Sequence, residues 1–137
     1  MAGYLIVASM MNARAQGIRL VCVVPFLAAS MAMHILAYCD ERNALGASLL
    51  MFHPVRTSAD AVTPEIAAAI REALEILIRP LEDNLFTQLG TDRATYDHHN
   101  IAETLWPSVV FAVTFPNFRL HIVPFIKLPP DMTLFAM

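Results

Sequence analysis

Charge is scarce in this sequence: Asp, Glu, Lys and Arg make up 15% of its 137 residues, against 57% hydrophobic residues. So few charges barely cover the surface of a small domain, so either subunits bury surface against one another or a membrane is involved. The nine Lys and Arg are scattered and the formal charge is −3. A basic stripe that neutralises phosphates is therefore lacking, and nucleic acid is not an expected partner. No basic n-region precedes an apolar h-region near the start, so secretion is not indicated and a cytoplasmic location is expected. Only two cysteines occur, Cys22 and Cys39. Two are too few for a disulfide framework, and a reducing compartment is the default reading. Repeats and flexible linkers are also lacking, and the length suits one compact domain.

One long run does invite a membrane reading. Leu20 to Cys39 is twenty residues without a formal charge, about the length that spans a bilayer. Three features oppose it: Pro25 interrupts the run, Ser30 and His34 lie within it, and its β-branched residues are confined to the first third. A buried parallel strand followed by a buried helix has the same hydropathy, and a membrane is not the expected partner.

The pattern along the chain is that of an α/β domain in which parallel strands alternate with helices. Tyr4 to Gln16 reads as a helix ended by Gly17. Ile18 to Val24, with Val21, Val23 and Val24, reads as a strand covered on both faces, and Ala28 to Tyr38 as a helix with Ser30 in its first turn. Asp40, Asn43 and Gly46 read as polar punctuation. Leu49 to Phe52 is a short strand, and Pro54 places His53 at its end. Thr63-Pro64 starts a helix whose apolar face runs through Ile66, Ile70, Leu74, Leu77, Ile78, Leu81 and Leu85. Pro80 is expected to kink or divide that helix, and Gly90 to close it. Thr91 to Glu103 is polar. From Thr104 to Met137 the chain is apolar, with five of the nine prolines and no clear period, and 112–137 is left unassigned.

The order strand, turn, Ser at a helix N-terminus, second strand ending at His brings a hydroxyl and an imidazole to one edge of a parallel sheet, where sites in open α/β folds gather. A serine hydroxyl becomes a strong nucleophile when a neighbouring base takes its proton and a carboxylate orients that base. The backbone amide of Met31, in the first helical turn, is a candidate oxyanion donor beside Ser30. Taken alone, Ser30 also suits a helix cap, and His53 a core histidine. His34, four residues after Ser30, competes as the base. Asp97-His98-His99 is a weak metal signal because adjacent residues point apart, and no metal or cofactor is expected.

Ala28-Ala29-Ser30-Met31-Ala32, Asp40-Glu41-Arg42-Asn43-Ala44 and Ser48-Leu49-Leu50-Met51-Phe52-His53-Pro54 together resemble the nucleophile helix, the following strand and the histidine strand of the Clp protease proteolytic subunit. In that family the serine lies in an Ala-Ala-Ser-Met stretch and the general-base histidine follows a little over twenty residues later; here the separation is twenty-three. The resemblance implies a Clp/crotonase-like fold and an ATP-dependent serine endopeptidase that cleaves peptide bonds through an acyl-enzyme. It also implies a homo-oligomeric ring, a partner AAA+ unfoldase, and peptide or unfolded protein as substrate. A third catalytic residue, an acid about fifty residues beyond the histidine, is implied as well; Glu103 stands at that offset, with Asp97 as the alternative.

The chain departs from the family in three places. The Ser-Pro-Gly-Gly turn that supplies oxyanion amides would precede Gly3, so the domain reads as short at its N-terminus. Pro25-Phe26-Leu27 stands where a glycine is usual, and the ending beyond Glu103 matches no family pattern. These departures favour a second reading, a noncatalytic assembly or regulatory subunit of the same fold. A third reading comes from Ile35 to Arg42, which resembles the Leu-Ala-x-x-Cys-Asp-x-Arg stretch of crotonase-type acyl-coenzyme A enzymes; His53-Pro54 argues against it. The Ile66 to Leu85 stripe corresponds to the family region that helps stack rings.

Overall fold

A computed structural model of the chain describes residues 2–53 and 63–125. The described residues form five α-helices and two three-stranded sheets of a small compact α/β domain. The first sheet is wholly parallel, with β3 (Glu41–Leu45) between β1 (Val21–Val24) and β6 (Leu120–Val123). In the second, β4 (Leu49–Met51) pairs in parallel with β2 (Leu27–Ala29) and antiparallel with β5 (Leu105–Pro107).

The uncharged run Leu20 to Cys39 is thus two strands and a helix, β1, β2 and α2 (Met31–Ala37). Among the described residues no helix is long and apolar enough to cross a membrane. β2 falls where the sequence reads as the start of a helix: Leu27 to Ala29 complete a ladder with Leu49 to Met51, and pairing outweighs the helix propensity of alanine. Glu41 to Leu45 is a further difference, being the central strand of the parallel sheet rather than polar punctuation. Its buried positions alternate, Arg42 and Ala44 inward, and Arg42 is only 7% exposed.

That burial is tolerated because every bond of the guanidinium ends on a neutral oxygen. Arg42 donates to the carbonyls of Leu36, Ala37 and Phe118 and to the side chain of Gln88, at 2.8 to 3.0 Å. Leu36 and Ala37 are the last residues of α2, whose terminal carbonyls have no intrahelical donor. The arginine therefore closes that helix and ties it to α3 (Pro64–Leu89) and to the 3₁₀ turn at Pro116–Phe118.

α3 begins as expected, with the Thr63 hydroxyl accepting from the Ile66 amide, and ends at Gly90 in the left-handed conformation, φ 68°. It runs unbroken through Pro80, contrary to the expected division. Only Leu81, Leu85 and Leu89 of this helix are buried, so the N-terminal part of the apolar stripe, Ile66, Ile70 and Leu77, stays exposed. Much of the unassigned tail is ordered structure: α5 (Ser108–Thr114), the 3₁₀ turn and β6 belong to the domain. Residues 126–137, like Pro54, lie outside the described residues.

The core joins both sheets. Met33 and Leu36 from α2, Leu50 and Phe52 from β4, Leu85 from α3, and Phe111 and Phe118 are all 3% exposed or less. Cys22 on β1 and Cys39 after α2 are joined in a disulfide, Cα atoms 5.9 Å apart. Two cysteines read as too few for a disulfide framework, yet parallel β1 and β3 return the chain to one spot after seventeen residues, a proximity that cysteine number alone cannot reveal.

Candidate functional site

α2 opens at the edge where β2 ends. Ala29 is level with Met51 on β4, and the Ser30 amide donates to the Met51 carbonyl at 3.2 Å, carrying the ladder into Ser30 itself. His53 lies two residues beyond Met51 on the neighbouring chain. On the other side of β4, Met51 is level with Leu105 and Leu50 with Trp106. Glu103, two residues before β5, closes the helix Arg93–Ala102 in the left-handed conformation, φ 50° and ψ 45°. Ser30 thus directly follows β2, His53 lies two residues after β4, and Glu103 lies two residues before β5. Neither His53 nor Glu103 is without a partner.

The backbone at these positions is unusual. Ser30 has φ 56° and ψ −126°, and among the described residues the only other non-glycine residues at positive φ are Glu103 and Arg119. A side chain held there costs on the order of 1–3 kcal/mol and persists only where the surroundings impose it. At Ser30 the imposing elements are β2, fixed by its ladder, and α2, fixed at its far end by Arg42. The chain must turn from strand to helix in one residue, and such a turn lifts a serine hydroxyl clear of the sheet. The Ser30 side chain makes no capping hydrogen bond to α2, so the helix-cap reading does not hold.

Other serines show the contrast. Ser48 and Ser108 are fully buried, their hydroxyls donating to the Val24 and Leu45 carbonyls at 2.7 and 2.8 Å. They pin loops, whereas Ser30 is half-buried at the edge.

His53 is positioned by the residue before it. Phe52 is 1% exposed, stacks on Tyr96 at 5.5 Å and meets Phe115 edge-on at 6.1 Å. Side chains alternate along extended backbone, so burying Phe52 turns His53 to the opposite side. His34 lies beneath, buried in α2 and close enough to His53 to feel its charge. Burial holds its imidazole below the ordinary 6.5; a hydrogen bond with the Leu81 backbone opposes this and the charge of His53 adds to it. Its Nδ1 is buried with no hydrogen-bond partner among the described residues. His34 therefore packs within the domain on α2, while His53 follows β4 by two residues.

Asp97, the alternative acid, is committed elsewhere. Its carboxylate pairs with Arg93 at 3.0 Å, and the same guanidinium reaches Glu82 at 3.0 Å, forming a surface network on α3 and α4 (Arg93–Ala102). His99 packs edge-on against Trp106 at 5.1 Å. Among the described residues no three His, Cys, Asp or Glu are grouped to hold a metal. Met31 is the first residue of α2, and Gly3 on α1 (Ala2–Ala15) is what lets that helix close over it, since a Cβ there would collide with the Met31 side chain.

Sequence reasoning singled out Ser30 and His53 by their order and spacing and Glu103 by the resemblance. It missed the strained Ser30 backbone, for which no signal precedes the fold, and Arg42, whose only cue is its place between alternating apolar neighbours.

Chemically, a hydroxyl, an imidazole and a carboxylate in this order suit nucleophilic attack with proton transfer. No family model matches the chain, and no curated protein matches it.

Proposed function

We propose that the chain is a serine peptidase of the Clp type. Ser30 Oγ attacks the peptide carbonyl, and His53 takes its proton and later delivers it to the leaving amine. Glu103 orients the imidazole, and water then releases the acyl group from Ser30. The Met31 amide stands where it can donate to the developing oxyanion. The single observation that supports this reading is the strained strand-to-helix turn at Ser30, whose amide donates to Met51 on β4, two residues before His53.

Ring assembly and an unfoldase partner belong to the same reading. The exposed stripe of α3, with Ile66 half exposed and Ile70 36% exposed, supports burial of that face between subunits. A cytoplasmic location also goes with it, and the Cys22–Cys39 disulfide is the observation that weighs against that part, because such bonds persist in oxidising compartments.

The test is hydrolysis of short fluorogenic peptides by purified protein, with Ser30→Ala and His53→Ala prepared identically. Turnover that both substitutions abolish, with folding retained by circular dichroism, is the expected outcome. No turnover by folded, oligomeric wild type favours a noncatalytic subunit of the same fold.

A further inference from the structure

The far end of α2 carries a different feature. Between the end of α1, the end of α2, α3 and the 3₁₀ turn lies a polar cleft of about 360 Å³. Arg14, Arg42 and Arg119 line it, with Asp40 as the only carboxylate, so three positive side chains face one negative in a chain whose overall charge is −3.

The disposition of these groups shows an unmet demand for an anion. Among the described residues the hydrogen bonds of Arg42 all end on neutral oxygens, and none pairs its buried charge with a carboxylate. Asp40 is shared, already bridging to Arg14 at 3.1 Å. Arg119 makes no ion pair among the described residues. Burial is the main influence lowering the proton affinity of Arg42; the charge of Asp40 opposes it, and repulsion from Arg14 and Arg119 adds to it. Asn84, on the cleft wall, has a buried Nδ2 with no hydrogen-bond partner among the described residues.

We propose that this cleft binds the phosphate group of a small molecule. Two uncompensated positive charges match a phosphate, which carries about −1.5 to −2 at neutral pH, better than a carboxylate. The volume is at the small end of ligand pockets and leaves room for a compact organic body beside the phosphate. The cleft is separated from Ser30 by the length of α2, seven residues or about 10 Å, so this inference does not rest on the peptidase reading.

Inorganic phosphate is the probe. Wild-type protein is titrated at constant ionic strength while its melting temperature and binding heat are followed, with chloride and acetate as controls. Arg119→Asn removes the charge with a residue that tolerates the left-handed backbone there, and Asn84→Leu removes the unpaired donor. The expected result is a saturable rise of a few degrees with phosphate, absent with chloride and weaker with acetate. In Arg119→Asn, affinity should fall about tenfold or more while the melting temperature without phosphate stays near wild type. A response to phosphate no larger than that to chloride or acetate, or equal in wild type and both variants, overturns the proposal.

Discussion

The two ends of α2 are built on opposite principles. At its C-terminal end one buried guanidinium satisfies the last carbonyls of the helix and ties them to α3 and the 3₁₀ turn. At its N-terminal end Ser30 is held at positive φ and offers no side-chain cap. The comparison teaches that a strained residue is kept in place from a distance: β2 fixes Ser30 on one side and Arg42, through seven residues of helix, on the other. Stability is concentrated where no chemistry is proposed, and strain where it is.

The largest test of that contrast is Arg42→Met. It leaves three carbonyls and the Gln88 side chain without their donor in a buried setting, and a loss of about 3–4 kcal/mol is expected by urea unfolding. Reducing the Cys22–Cys39 disulfide comes next. Its loop of seventeen residues contains Ser30, and release is expected to cost about 3 kcal/mol, measured by unfolding with and without dithiothreitol. A smaller effect of opposite sign distinguishes the strained end. Ser30→Gly is expected to be more stable than Ser30→Ala by about 1 kcal/mol, because glycine alone adopts the Ser30 backbone without a Cβ penalty. Equal stabilities of these two variants would remove strain from the account.

The pH dependence follows from His34. Burial holds its imidazole below 6.5, so the unfolded chain takes up a proton first as pH falls. The stabilisation is therefore complete above that value and is lost as pH drops toward the folded value. Melting temperatures should decline between about pH 7.5 and pH 5.5, and His34→Leu should flatten the decline in part, since burial shifts His99 in the same direction.

What the sequence disclosed and what it hid divide along the same line. Strand β1, the Thr63 cap, the Gly90 terminus and the positions of Ser30 and His53 were legible because each has a local cause: β-branched runs, a capping hydroxyl, a left-handed glycine, a proline after the histidine. β2 was not, since three residues beginning with Leu27 become a strand only when β4 lies beside them. Nor was the role of Arg42, because a buried arginine in a strand is read as polar until the carbonyls of α2 and Phe118 surround it. The helix at Arg93–Ala102, capped by Asp92, was overlooked in a polar stretch although the Asp92 side chain accepts from the Thr95 amide. Glu103 was singled out by its offset from His53, and the structure sets it at the end of the helix Arg93–Ala102, two residues before β5.

The central claim is that Ser30 is an activated nucleophile, and the most direct measurement is labelling of the folded protein with a fluorophosphonate probe, mapped by mass spectrometry. Modification of Ser30 in wild type, lost in Ser30→Ala and His53→Ala and reduced in Glu103→Gln, is the predicted result. Folded wild-type protein that remains unlabelled, or that is labelled equally after His53→Ala, would contradict it.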